Sequence, residues 1–252
     1  MLNERNLPIA SSDQPRTVAS GEVATQEPSP FREYRAPRVH GEFFVEPEFD
    51  QVPQMLHENM ELLESQAFHL ASIRERARRQ LIDDAIRYTS SYRDVAWLDG
   101  SQGDDLASGP IVMAGHQPAI FHPGVWFKNF ALSRLASDTG AVAVNLVIDN
   151  DVAAGCSIRV PTLHTETGEA AYTMVAYDHA GGGVPYEQTR VRDREAIDSF
   201  DQRVKHAVAP LVVDPCVNTF WKHARHAIER CGVAGCALAQ ARHGLEGELG
   251  LK

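Results

Sequence analysis

Residues 111–151 read IVMAGHQPAIFHPGVWFKNFALSRLASDTGAVAVNLVIDND, and they contain the pattern of a β-α-β unit. Two continuous apolar runs, at 111–114 and 141–148, are typical of strands that are covered on both faces. The segment 125–136 between them has an apolar helical face, and Gly140 suits the end of a helix. We therefore expect an α/β fold with a Rossmann-like parallel sheet.

After this unit, the sequence predicts a hairpin followed by helices. Strands are expected at 156–161 and 172–177 with a turn near Gly168, and helices are expected at 194–208 and 218–231. A further apolar run at 233–239 fits one more short strand. Such a strand would enlarge the sheet.

An amphipathic helical pattern precedes the unit. Apolar residues recur at spacings of three and four from 52 to 92, which predicts either two helices or one long arm. The beginning of the chain is rich in Ser, Pro, Gln and charged residues, which predicts a flexible tail. We therefore divide the chain into a disordered tail at 1–40, an extended segment with a helical arm at 41–109, and an α/β core at 110–252. The residues from Gly244 onward do not resemble a finished C-terminus, so we expect a truncated larger protein with an incomplete core.

The composition predicts a cytoplasmic protein of ordinary globular type. The chain has 252 residues, of which 43% are hydrophobic, and 24 Lys and Arg stand against 34 Asp and Glu, for a net charge of −10. This acidic balance argues against general affinity for nucleic acid or anionic membranes. No apolar run reaches the ~18 residues of a membrane span, and no secretory signal pattern is present. Four cysteines are too few for a disulfide scaffold.

Candidate functional residues cluster after the two strands of the β-α-β unit. Ligands of open α/β sheets bind outside the carboxyl ends of the strands, where the loop 115–124 and the run Asp149-Asn150-Asp151 are expected to meet. His116 and His122 in this loop are the candidate catalytic residues, because imidazole serves as an acid, base or hydrogen-bond donor near neutral pH. Alternatively, these histidines satisfy backbone groups and the two aspartates cap a turn.

Further residues of the same crevice are candidates for substrate binding. Glycine permits close backbone approach, glutamine orients a carbonyl or amide, lysine near a helix N-terminus holds an anion, and aspartate binds amines or hydroxyls. The candidates are Gly115, Gln117, Gly124, Lys128, Asp149 and Asp151. We expect a small-molecule partner that is either anionic or nucleotide-like.

The sequence assigns no metal ligand, and the cofactor is unknown. The chain contains no G-x-G-x-x-G after a strand, no phosphate-binding G-x-x-x-x-G-K-[ST] loop and no G-x-S-x-G elbow. The run His223-x2-His226-x4-Cys231-x4-Cys236 contains residue types that bind zinc, at a spacing that matches no common zinc motif. These residues are either ordinary thiols and imidazoles or a metal site.

The loop and its surroundings resemble the bacillithiol-synthesis cysteine-adding enzymes. Members of that family carry a G-Q-Q-x-G-L-F-x-G-P loop after a first strand, then a helix with an early lysine and a strand that ends in an acidic cluster. Gly115, Gln117, Phe121, Gly124 and Lys128 fit this outline. The resemblance implies a nucleotidyltransferase-like Rossmann core with helical additions, including a coiled-coil arm. It also implies a ligase or transferase that joins cysteine to glucosaminyl malate.

A second resemblance uses overlapping residues. The run His116-Gln117-Pro118, followed by Gly124-Val125-Trp126-Phe127-Lys128, is similar to the H-Q-P opening of the WbqC-like family, whose members occur with surface-polysaccharide genes. We therefore expect a small-molecule transferase or ligase, with a WbqC-like polysaccharide-associated protein as one alternative. The other alternative is a non-catalytic interaction protein that forms a homo-oligomer through residues 52–92.

Overall fold

A computed structural model describes most of the chain. The described residues are 33–66, 70–95, 103–120, 122–164, 166–179 and 183–251. The chain divides into two units, Met1–Val45 and Glu46–Lys252. The described part of the first unit has no helix or strand, and the rings of Tyr34 and Phe44 in it lie 5.2 Å apart. Most of the predicted tail at 1–40 lies outside the described residues.

The described part of the second unit contains helices and short strands. The helices are α1 (Val52–Gln66), α2 (Ala71–Ser90), α3 (Gly103–Ser108), α4 (Pro123–Thr139), α5 (Arg194–Val208), α6 (Val217–Cys231) and α7 (Ala234–Glu248). The strands are β1 (Ile111–His116), β2 (Val142–Val147), β3 (Ser157–Leu163) and β4 (Ala170–Ala176). The mixed α/β class is confirmed, and the predicted arm forms the two helices α1 and α2.

The β-α-β unit is present as predicted. Strands β1 and β2 pair in parallel, with Ile111 opposite Val142 and His116 opposite Val147. Helix α4 connects them and ends at Gly140, which has a φ of 66° and donates its backbone N–H to the Ala136 carbonyl. Glycine adopts this left-handed conformation without the steric cost that a side chain would bring.

The sheet of this unit is smaller than expected. Strands β3 and β4 form the predicted hairpin, but they pair with each other in a separate antiparallel sheet. The expected strand at 233–239 is wrong, because Ala234 begins helix α7. Ala234, Ala237, Leu238 and Ala241 are all buried, and their spacing of three and four is helical. Within the described residues, the parallel sheet therefore has two strands.

Buried apolar side chains in the described residues form two clusters. The larger cluster joins the hairpin to helices α5, α6 and α7, and its centre is the aromatic group of Tyr177, Phe200 and Trp221. The ring centroids of Phe200 and Trp221 are 4.1 Å apart. The smaller cluster is formed by Ile82, Ala107 and Val144, which join α2 and α3 to β2. No helix in the described ranges combines the length and the apolar character needed to cross a bilayer.

Candidate functional site

The two strand ends of the β-α-β unit meet through a side-chain hydrogen bond. Gln117, the residue after β1, donates from Nε2 to Oδ2 of Asp151 in the segment after β2, over 2.8 Å. The other carboxylate oxygen of Asp151 accepts the backbone N–H of Val152, also over 2.8 Å. The bond from Gln117, and then that from Val152, lower the pKa of Asp151. The carboxylate is therefore ionised near neutral pH.

His122 caps the helix that follows the loop. It is the N-cap residue of α4, and its Nδ1 accepts the backbone N–H of Gly124 over 3.0 Å. A Cβ added at Gly124 would lie 3.2 Å from the same Nδ1, which explains why glycine suits this position. Because Nδ1 accepts, the neutral imidazole carries its proton on Nε2. His122 thus has the backbone-satisfying role that the sequence left as an alternative.

His116 and Gly115 belong to the end of strand β1. The His116 side chain is half-buried, and its carbonyl accepts the backbone N–H of Ile148 over 3.1 Å, which extends the pairing beyond β2. A Cβ at Gly115 would lie 3.2 Å from the Leu146 carbonyl oxygen. Gly115 therefore permits close approach of β1 and β2. This is a structural role in addition to the substrate-binding role that the sequence predicts for Gly115.

Lys128 in α4 and Asp149 after β2 are both exposed. Among the described residues, no hydrogen bond or ion pair joins their side chains to Gln117 or Asp151. The backbone after β2 is nevertheless held in place, because the carbonyls of Asp149 and Asp151 accept the N–H groups of Glu187 and Tyr186, respectively, each over 3.0 Å. The structure thus joins one pair of the predicted residues, Gln117 and Asp151, directly.

A buried ion pair lies beneath the loop, and sequence analysis did not identify it. Arg242 and Glu246 are one turn apart on α7, with side chains 8% and 3% exposed and 3.7 Å between Nε and Oε1. The Arg242 guanidinium donates to the Gln117 carbonyl over 3.4 Å. Glu246 Oε1 accepts from Trp126 Nε1 over 2.7 Å and from Asn129 Nδ2 over 2.6 Å. Helix α7 is therefore joined both to the loop and to α4.

Burial shifts the pKa values of Glu246 and of His243, the residue that follows Arg242 in α7. It raises the pKa of Glu246, against the hydrogen bonds from Asn129 and Trp126 and the charge of Arg242. Burial, together with the positive charges of Arg93 and Arg242, lowers the pKa of His243 to about 4. The cluster therefore favours a neutral imidazole at His243.

Three of the four candidate zinc ligands, His223, Cys231 and Cys236, have other contacts. His223 Nε2 lies 2.7 Å from Glu248 Oε1, and Cys231 Sγ donates to the Val233 carbonyl over 3.5 Å. Gln240 donates to Cys236 Sγ over 3.1 Å. In the described parts of the chain, no group of three or more His, Cys, Asp or Glu side chains is placed to hold a metal ion.

The fold and the site together define the class of protein as a small parallel α/β unit. This unit carries the hydrogen-bonded pair Gln117 and Asp151 at its strand ends, and the buried ion pair Arg242 and Glu246 lies beneath them. No family model matches the chain, and neither does any curated protein or solved structure.

Proposed function

We propose that the chain binds a small anionic or nucleotide-like substrate at the ends of β1 and β2 and acts on it as a transferase or ligase of the cysteine-adding kind. The observation that carries this proposal is the hydrogen bond between Gln117 and Asp151, because it brings polar groups from both strand ends together. Crevices at this position bind the ligands of open α/β sheets. The proposal includes a Rossmann-like character of the core and action in the cytoplasm.

The polar groups around the crevice suit the chemistry of amide formation. An ionised Asp151 attracts a substrate ammonium group, and the exposed Lys128 on α4 attracts an anionic group. Imidazole exchanges protons near neutral pH, so His116 is suited to accept the proton that an attacking amine loses as it displaces the leaving group of an activated acyl substrate. His122 caps α4 through Nδ1, so its protonated Nε2 is suited to donate a hydrogen bond to the substrate.

Isothermal titration calorimetry with cysteine and with glucosaminyl malate tests the proposal. We expect saturable binding to the wild-type chain and a loss of about tenfold or more in affinity for Asp151→Asn or His116→Ala, because a charge-assisted contact is removed. Asp138→Asn, which neutralises an exposed carboxylate on α4, is the matched control and should bind as the wild type does. Equal affinity in Asp151→Asn and Asp138→Asn would contradict the proposal. Binding of a nucleotide sugar instead would favour the WbqC-like alternative.

A second candidate function is self-assembly through α1. This helix presents large apolar side chains to solvent: Met60, Leu62 and Leu63 are 44%, 49% and 47% exposed. Such a surface is typical of a helix that packs against a partner. The proposed occupant is a second copy of the chain, as the pattern at 52–92 predicts.

A further inference from the structure

A pocket with a volume of about 350 Å³ lies along one side of α7. Helix α6 and the segment that follows α2 form the rest of its wall. Pockets for small organic ligands measure roughly 300–1,000 Å³, so this pocket has room for a small ligand. It is separate from the site of the proposed function, because neither Gln117 nor Asp151 lines it.

Two glycines on one face of α7 give the pocket its shape. A Cβ added at Gly244 would lie 2.7 Å from the ring of His223, and a Cβ added at Gly247 would lie 3.1 Å from the guanidinium of Arg93. All four of these residues line the pocket. Glycine inside a helix costs about 1 kcal/mol relative to alanine. Helix α7 therefore has two poor helix formers at the positions where His223 and Arg93 need the space.

Two guanidinium groups of the pocket have only neutral partners among the described residues. Arg93, which is half-buried, donates to the ring of His243 and to a backbone carbonyl. Arg230 donates to the side-chain amide of Gln240 and to a backbone carbonyl. Because a guanidinium has five N–H groups, each of the two arginines keeps donors that these bonds do not use. A partly buried cation without a carboxylate partner is stabilised by an anion.

The other titratable groups of the pocket leave this positive charge in place. Of the described residues that line the pocket, Glu248 alone carries a carboxylate, and it pairs with His223 over 2.7 Å. His226 is exposed and makes no hydrogen bond or ion pair with a described residue. The lining therefore has two guanidinium groups and one available imidazole, against one carboxylate that already has a partner.

We propose that this pocket binds the phosphate group of a small ligand, with Arg93 and Arg230 donating to the phosphate oxygens and His226 as a further donor. Phosphate suits the pocket because the planar guanidinium forms paired, charge-assisted hydrogen bonds with its oxygens. Two guanidinium groups also match the charge of a phosphate monoester near neutral pH, which is about −1.5 to −2. Either inorganic phosphate or a phosphate monoester supplies this chemistry.

Calorimetric titration of the full chain at low ionic strength, with inorganic phosphate and with glycerol 3-phosphate, tests the proposal. We expect saturable binding to the wild type, and the tighter of the two ligands identifies the source of the phosphate group. Arg230→Met removes an exposed guanidinium from the pocket and should weaken binding about tenfold or more. Arg134→Met removes an exposed guanidinium from α4, outside the pocket, and should bind as the wild type does.

A second variant tests the space at Gly247 without removing a charge. Gly247→Leu places a branched side chain where the Arg93 guanidinium lies, so it should abolish binding. Gly247→Ala is the matched control, because Arg93 has to move by only a few tenths of an ångström, and it should retain most of the affinity. Leucine and alanine both favour a helix more than glycine does. Circular dichroism and a thermal melt show that each variant is folded.

Three results would overturn the inference. The first is the absence of saturable binding of both ligands to the wild type. The second is wild-type affinity in folded Arg230→Met and Gly247→Leu variants. The third is weaker binding in Lys128→Met together with unchanged binding in Arg230→Met, which would place the phosphate at the strand ends. That third result would support the proposed function, so the two proposals fail separately.

Discussion

Asp151 accepts hydrogen bonds at both carboxylate oxygens, and one of these bonds comes from the other strand end. Gln117→Leu removes this donor, so the pKa of Asp151 should rise toward the ordinary value of an aspartate. Carboxyl ¹³C NMR across an acid titration measures the change. Gln202→Leu, an exposed substitution on α5, is the control. An unchanged Asp151 titration in Gln117→Leu would show that the bond is not formed in solution.

His243 makes the stability of the fold depend on pH. Arg93 can only donate to its Nε2, so Nδ1 carries the ring proton and donates to the Tyr92 hydroxyl over 2.7 Å. The pKa of His243 is about 4 in the fold against an ordinary 6.5, so the unfolded chain binds the proton more tightly. The stabilisation is complete above pH 6.5 and is lost as the pH falls toward 4, by about 3 kcal/mol at most.

Urea unfolding between pH 7 and pH 4 tests the role of His243. We expect the unfolding free energy of the wild type to fall more steeply with acid than that of His243→Gln, which has no imidazole to protonate. His206→Gln removes an exposed imidazole from α5 and should retain the wild-type slope. Parallel slopes for His243→Gln and the wild type would contradict the assignment.

Residues of the strand-end crevice were accessible to prediction, and those of the buried cluster were not. Gln117 and Asp151 each stand three positions past the last residue of an apolar run, so the general geometry of α/β sheets brings them together. Glu246, by contrast, bonds to Trp126 and Asn129, which are 120 and 117 positions away in the sequence. The only local signal was a charged pair four residues apart within an alanine-rich helix. That pattern also occurs on exposed helix faces.

At the level of single elements, substitutions at the N-cap of α4 distinguish a structural role of His122 from a chemical one. His122→Ala leaves the Gly124 N–H without its acceptor and should lower the unfolding free energy by about 1 kcal/mol. His122→Asn retains a capping side chain and should restore most of that loss while it removes the imidazole. Denaturant unfolding measures both variants. If His122→Asn restores neither the stability nor the substrate binding that His122→Ala loses, then His122 does not contribute through the cap of α4.

Helix α1 should control the oligomeric state. Leu63→Glu places a charge in its exposed apolar surface, so an assembly held by this surface should dissociate. Sedimentation velocity over a range of concentrations measures the change from oligomer to monomer. Glu64→Lys, a neighbouring exposed position outside the apolar surface, controls for altered charge. A wild-type chain that stays monomeric at all concentrations would exclude this second function.

Prediction of the elements succeeded where periodicity was long and failed where it was short. The helix at 194–208 coincides with α5, since its strong amphipathic pattern and the Asp193 cap mark its bounds. The run at 233–239 is too short to distinguish a buried strand from a buried helix by apolar content alone. The number of strands in the parallel sheet is likewise not a local property, because it depends on which segments pair.

On the scale of the whole molecule, α7 connects the larger buried cluster to the β-α-β unit. Its alanines pack in the larger cluster, whereas Glu246 bonds to α4 of the β-α-β unit and Arg242 to the loop. Elements that share few contacts open separately in native proteins. The coupling between the hairpin-containing half and the β-α-β unit should therefore depend on this one carboxylate more than on any exposed pair.

Glu246→Ala should uncouple the two parts of the fold. The substitution leaves the Trp126 and Asn129 donors buried without their acceptor, at a cost of about 1–3 kcal/mol for each. Hydrogen exchange measured by mass spectrometry should then be faster in α4 and β2, while α5 and α6 retain their protection. Glu248→Ala removes an exposed carboxylate from the same helix, so it should leave both regions unchanged. Uniformly faster exchange in Glu246→Ala would mean that the larger cluster and the β-α-β unit form one cooperative unit, since loss of a local link would then destabilise every element alike.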